Sequence, residues 1–295
     1  MDFEAFIRKI DENCWEVHGV EVYENHRLIW EHGDISVQRY PVYSATKTIT
    51  SLAVGMAADA GKLDISRSVL CYLPGEEISV LTEQQRKLYE RVTIERLLTM
   101  SVSGFPFRQD GESWLRSSLR YPIAPDERIF DYSNVPAYLA GVAAANALEE
   151  DLYSYLQRNL FEPLGIENPP CQRCPDGFFY GASGMELTVN ELSRIGFVLM
   201  DGGLYQGRRI VSEAYIKKAC SIQQMNREGG YGYFVWKYRD GFSINGKWGQ
   251  KCYILPESRL MITFLAHMEE NSRQLTECMQ EYLLENFSIA FGNTL

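Results

Sequence analysis

The sequence contains no run of about 18 apolar residues, the shortest stretch from which a membrane-spanning helix is built. It is also short of basic charge: 29 Lys and Arg stand against 39 Asp and Glu, a formal net charge of −10. A surface that grips phosphate backbones has to be basic, and an anionic membrane repels this charge as well. Nucleic acid and membrane are therefore set aside as partners. Histidine is scarce, with only His18, His26, His32 and His267. There is no H-E-x-x-H, no P-loop and no G-x-G-x-x-G, so zinc-protease, nucleotide and dinucleotide chemistry lack their sequence carriers. No metal and no cofactor are expected. The seven cysteines are an odd number in a chain long enough to fold without staples. The one C-x-x-C, Cys171-Gln172-Arg173-Cys174, lies between Pro169-Pro170 and Pro175-Asp176-Gly177 and reads as a loop with two free thiols. The segment Met1 to Arg8 lacks the basic start and apolar core of a secretory signal, which with the unpaired cysteines gives a cytoplasmic expectation.

What is present is core material: 45% of the 295 residues are hydrophobic, including 18 Tyr, 14 Phe and 5 Trp, so disorder is excluded as the general state. Phe3, Phe6, Ile7 and Ile10 recur at helical spacing within residues 2–13. Two strand-like runs, 16–23 and 27–31, are split by a turn at Glu24-Asn25-His26. A helix after Ser44 carries Ile49, Leu52, Ala53, Met56 and Ala57 and stops at Gly61. The middle reads as helical over 94–100, after Asn134-Val135-Pro136, over 152–159, over 192–200 behind the capping-box pair Thr188 and Glu191, and over 213–220. The last seventy residues change character, with strands predicted over 231–238, 249–255 and 260–267 and a closing helix bearing Leu275, Met279, Tyr282, Leu283 and Phe287. Strands at both ends and helices between predict an α+β fold. Residues 1–64 and 226–295 would form a sheet lobe and 65–225 a mainly helical lobe, with an active-site cleft between them.

Three pieces could carry chemistry. In Ser44-Ala45-Thr46-Lys47 the hydroxyl and the amine share one face of a helix start, so the lysine can take the serine proton if its pKa is lowered. In Tyr132-Ser133-Asn134 a phenol can relay a proton while the amide two residues on holds a lysine amine or a substrate amide. Tyr23-Glu24-Asn25 has the same spacing but falls in the predicted hairpin turn. The third piece, Ser243 to Gln250, is a glycine-bearing strand start, which by itself reads first as a β-bulge or tight turn and otherwise as a strand that a ligand approaches closely.

Taken in this order, S-x-x-K, Y-x-N and a glycine-bearing strand, the chain resembles the serine β-lactamase and penicillin-binding-protein superfamily. It looks nearest to the class C-related branch of esterases, D-aminopeptidases and 6-aminohexanoate-dimer hydrolases. Val92 to Met100, Phe130 to Asn134, Phe161 to Ile166 and Tyr180 to Met185 are similar too, as are Gly249-Gln250 with Pro256-Glu257. The resemblance implies a β-lactamase/transpeptidase-like fold: an antiparallel sheet flanked by terminal helices, with an inserted all-helical subdomain. It implies Ser44 as the acylated nucleophile, Lys47 as its base or proton shuttle, Tyr132 as the group that activates Ser44 and then the deacylating water, and Asn134 as the residue orienting Lys47 and substrate. The oxyanion and substrate contacts would come from the N–H groups of Ser44 and Lys247, with Asn245 and Gly246. The implied activity is hydrolysis of an ester or amide of a small-molecule substrate through an acyl-enzyme. The alternatives are a β-lactamase or D-Ala-D-Ala peptidase, or an inactive binding protein of the same fold.

One position departs from the pattern. Where the superfamily's third motif opens with Lys or His, this chain has Ile244, followed by Asn245-Gly246. An isoleucine cannot bind the carboxylate of penicillins, so lactam turnover is expected to fall far below that of simple esters. Lys247, one residue further on, is expected to face away from Asn245 and Trp248. Phe105, Phe107, Trp114, Trp236 and Trp248 are the aromatic residues that could line a cleft or a core.

Overall fold

The computed structural model describes residues 1–284. The predicted helical position Phe287 lies outside them. A six-stranded antiparallel sheet is built from both ends of this span. Its strands are β1 (Val17–Glu24), β2 (Arg27–Gly33), β3 (Trp236–Tyr238), β4 (Gly241–Gly246), β5 (Gln250–Leu255) and β6 (Leu260–Ala266). The spatial order is β2-β1-β6-β5-β4-β3, so the two chain ends meet where β1 pairs with β6. The β1–β2 turn has Asn25 and His26 both at positive φ, the left-handed pair that a two-residue hairpin turn requires.

Each face of the sheet buries its own apolar set, because side chains alternate along every strand. On one face Val20, Val22, Tyr253, Ile262 and Phe264 pack under α1 (Phe3–Glu12) and the closing helix Ser272–Met279 through Phe6, Ile10, Leu275 and Met279. On the other face Tyr23, Ile244, Cys252, Ile254 and Met261 join the larger core with the helices between the chain ends. Two helices dominate that core. In α2 (Thr46–Asp59) every residue from Thr46 to Ala57 is buried, and in α3 (Val135–Leu148) every residue from Val135 to Ala145 is buried. Burial on all sides explains why they read as small and apolar rather than as one-sided stripes.

The predicted elements shift at their edges. Thr188 caps the helix Val189–Met200 through the reciprocal bonds with Glu191, so this helix starts three residues earlier than the apolar spacing indicates. The helix after Thr93 ends at Leu98, before Met100, which sits at positive φ. The larger correction concerns 231–238, of which only Trp236–Tyr238 is strand. Tyr231, Tyr233, Phe234 and Val235 are buried as an irregular segment over the helical core, where Tyr233 donates to Glu95 and the Phe234 carbonyl accepts from Thr48 Oγ1. Aromatic and β-branched composition marked burial there, not strand pairing.

Candidate active site

Ser44 stands in a tight 3₁₀ turn, Tyr43–Ala45, that runs straight into α2, so its backbone lies at a helix N-terminus and its side chain faces a cleft of about 830 Å³. Three residues on, Lys47 is 1% exposed, and its Nζ lies 3.0 Å from Ser44 Oγ, 2.7 Å from Asn134 Oδ1 and 2.8 Å from the Ala182 carbonyl. Two of those three partners can only accept. A neutral amine therefore gives its two N–H bonds to Asn134 and Ala182 and turns its lone pair to the Ser44 hydroxyl. Burial, with no carboxylate beside it, pushes the Lys47 amine down to about 7. The geometry and the lowered pKa agree that the proton-free form is available at neutral pH.

α2 also fixes the strand-like segment that supplies the second acceptor. Thr50 Oγ1 donates to the Gly181 carbonyl at 2.7 Å, and Thr46 Oγ1 accepts from Met185 N at 3.4 Å, so positions 46, 47 and 50 of one helix face hold residues 181–185. Gly181 is at φ +70°, with Thr50 Oγ1 2.9 Å from where a Cβ would stand, so only glycine fits.

Asn134 comes from the start of α3. It occupies the N-cap position but makes no capping bond, because its amide is turned into the site, where Nδ2 donates to Tyr180 Oη at 2.9 Å. The loop before it is pinned by main-chain bonds from Asp131 N to the Met100 carbonyl and from Asn134 N to the Phe107 carbonyl. That places Tyr132 against Trp236, Phe130 and Tyr231, with the Lys47 Nζ 5.0 Å from its ring centre. Burial pushes the Tyr132 phenol up to about 12, against a smaller opposing pull from the Ser44 hydroxyl beside it. Tyr132 thus keeps its proton where Lys47 has lost its own.

Gly246 ends β4 where the backbone comes closest to the nucleophile turn: a Cβ there would stand 2.2 Å from the Val42 carbonyl, two residues before Ser44. The connection Lys247-Trp248-Gly249 is a turn, with Trp248 at positive φ and its ring edge-on to Tyr43, itself at positive φ, at 5.1 Å. Gly246, Lys247 and Asn245 all line the cleft. Gly246→Ala is expected to lower stability by about 1–3 kcal/mol, as overpacking does, and to cut ester turnover further than its melting shift accounts for. Thermal melts run beside kinetics check this.

The structure corrects the reading of the third motif. Ile244 is 0% exposed, opposite Cys252, with its side chain in the core and not in the cleft. Lys247 does not face away from Trp248. In the turn, strand alternation no longer applies, and its Nζ lies 3.8 Å above the Trp248 ring centre. Of the five aromatic candidates, Phe107, Trp114 and Trp236 line the cleft, Phe105 is buried, and Trp248 packs edge-on against Tyr43.

Several cleft residues carry no motif. Tyr180 and the Ala182 carbonyl complete the Lys47–Asn134 network, and the similarity of Tyr180 to Met185 was the only sequence sign of them. Gln109, Glu228 and Lys251 also line the cleft. A lone lysine directly before the apolar run Cys252–Leu255 was the one available signal for Lys251. Among the described residues no group of three or more His, Cys, Asp or Glu side chains is placed to hold a metal, and no helix is long and apolar enough to cross a membrane.

Comparison with known proteins agrees with this fold. Residues 36–278 match the Beta-lactamase family model. A 6-aminohexanoate-dimer hydrolase of Paenarthrobacter ureafaciens is 21% identical over 262 residues, which is 75% of this chain and 62% of that protein, so the chain spans less than two thirds of that relative. The solved β-lactamase from Sulfitobacter sp. EE-36 superposes with a TM-score of 0.72 at 16% identity over 96% of each chain. The penicillin-binding protein from Bacillus halodurans does so at 0.69 and 16% identity, covering 94% of this chain and 99% of its own. At such identities the superpositions speak for the fold, while the family match takes in the nucleophile turn, the Tyr132 loop and the third-motif hairpin. The chain belongs to the β-lactamase family.

Proposed function

We propose that the protein is a serine hydrolase that cleaves an ester or amide bond of a small substrate through an acyl-enzyme on Ser44. The observation that carries this reading is the Lys47 amine, buried without a counter-charge and held by two acceptors so that its third direction is the Ser44 hydroxyl. Lys47 takes the Ser44 proton as Oγ attacks the substrate carbonyl carbon. The carbonyl oxygen becomes an oxyanion received by the N–H groups of Ser44 and Lys247, at the helix N-terminus and the hairpin turn that Gly246 brings alongside. Tyr132, which keeps its proton at working pH, passes it to the departing oxygen or nitrogen and is resupplied from Lys47. A water then attacks the Ser44 ester by the same proton path in reverse, releasing the acid.

The relatives named for amide and lactam substrates make both bond types worth testing. Acid-quenching the protein during turnover of p-nitrophenyl butyrate, then mapping peptides by mass, should find butyrate on the peptide containing Ser44. The same map after incubation with penicillin G tests lactam recognition: an adduct on Ser44 supports the penicillin-recognising alternative. Ester turnover with acyl groups only on other residues would refute the proposal.

A further inference from the structure

Gln250 opens β5 directly across from Gly246, the last residue of β4, and is 2% exposed. Its side-chain amide bonds to main chain alone. The register of β5 against β6 ends at the pair Lys251 and Phe264. Beyond that pair the Gln250 side chain carries the contact on: Oε1 accepts from Ala266 N at 3.3 Å, and Nε2 donates to the Ala266 carbonyl at 2.6 Å. Nε2 also donates to the Lys247 carbonyl at 3.1 Å. One buried amide, with both donors and its acceptor in use, thus ties the Lys247-Trp248-Gly249 turn to the end of β6, an interior strand of the sheet.

The turn needs such a tie. Trp248 is at φ +63° and Gly249 at φ +93°, and for a tryptophan the left-handed region persists only where the surroundings enforce it. Met268 N adds a second restraint by donating to the Trp248 carbonyl at 3.0 Å. The Gln250 stem reaches the nucleophile turn as well. A Cβ on Gly246 would stand 2.8 Å from Gln250 Cβ and 2.2 Å from the Val42 carbonyl. The side chain and the segment leading into Ser44 therefore meet on one side of Gly246, next to the peptide that carries the Lys247 N–H.

We infer that Gln250 is the positioning residue of the oxyanion hole: its amide holds the hairpin turn so that the Lys247 N–H stays aimed where the substrate carbonyl oxygen gains charge. This rests on the serine-hydrolase reading above. Gln250 touches no reacting atom. It acts by removing the freedom of the turn before the reaction begins, which is what lets a main-chain donor stabilise a transition state without reorganising.

The test compares phenyl acetate with O-phenyl thionoacetate, in which sulfur replaces the carbonyl oxygen, each rate being divided by that of hydroxide in water. Sulfur is larger and accepts N–H bonds weakly, so two well-placed donors should give wild type an oxygen preference of about tenfold or more in kcat/KM. Gln250→Met keeps the length of the stem and removes all three hydrogen bonds. It should lower kcat for phenyl acetate by about 30-fold or more, with KM within about threefold, and lose most of the oxygen preference. Displacement of Ser44 or Lys47 would instead slow both esters equally, and the rise of activity with pH set by Lys47 should keep its position. Gln250→Asn, one methylene shorter, should move the preference in the same direction by less, and it decides the matter if Gln250→Met does not melt cooperatively. A wild type without oxygen preference, an equal rate loss on both esters, or a displaced pH limb would overturn the inference. Fluorophosphonate labelling of wild type separates the two levels. Protein labelled on Ser44 that fails these comparisons overturns this inference alone, and unlabelled protein that turns over neither ester overturns the serine-hydrolase reading with it.

Discussion

Ser44→Ala is expected to lower kcat/KM for p-nitrophenyl esters by at least about 10⁴-fold, the scale seen when a nucleophile that works as part of a unit is removed. The fold should hardly notice. Ser44 contributes a single hydroxyl facing a cleft, and a net hydrogen bond is worth about 1 kcal/mol, so the melting temperature should stay within about 3 °C. Lys47 also loses a partner in this variant but keeps Asn134 Oδ1 and the Ala182 carbonyl. Kinetics and a thermal melt on the same preparation check both halves: wild-type turnover in Ser44→Ala would place the nucleophile elsewhere.

Lys47 gives the second large effect, and its sign follows from burial. Because the amine is held near 7 in the folded protein, its base form accumulates as pH rises past that value, and kcat/KM should climb on a limb centred near pH 7. In Lys47→Arg the limb should vanish together with at least about 10³-fold of the rate, since a guanidinium cannot be deprotonated in this range. Stability should respond over a different window. The unfolded lysine titrates near 10.5 and the folded one near 7, so between these values the unfolded chain binds the extra proton. Wild-type stability measured against Lys47→Met should therefore rise with pH from about 7 towards 10.5, with a limiting slope of about 1.4 kcal/mol per unit. Below pH 7 both states carry the proton and the slope should disappear. Denaturant melts at three or four pH values decide it, a slope of opposite sign contradicting the assignment.

Much of this was legible in the sequence because it is local. Ser44 and Lys47 are one helical turn apart, and Asn134 and Tyr132 lie in one pinned loop, so spacing alone brings each pair to a common face. Apolar periodicity found α1, α2 and the helix capped by Thr188 for the same reason. What escaped was decided across the chain. The acceptor that matters to Lys47 is a main-chain carbonyl, Ala182, and every residue has one. Lys251 enters the cleft through its register against Asn245, which depends on where the Lys247-Trp248-Gly249 turn begins. Ile244 was read as a gap in the site because a motif position was taken to face it, whereas β4 turns that side chain into the core. Tyr231–Val235 misled in the opposite way, since burial favours the same residues as strand pairing does.

The central claim is that Ser44 is a nucleophile activated where it stands. Its most direct test is labelling with a fluorophosphonate, followed by peptide mass mapping of wild type, Ser44→Ala and Lys47→Arg. The account predicts a single adduct on the wild-type peptide containing Ser44, none in Ser44→Ala, and strongly slowed labelling in Lys47→Arg. A wild-type protein that stays unlabelled, or carries its label on another serine, would contradict it.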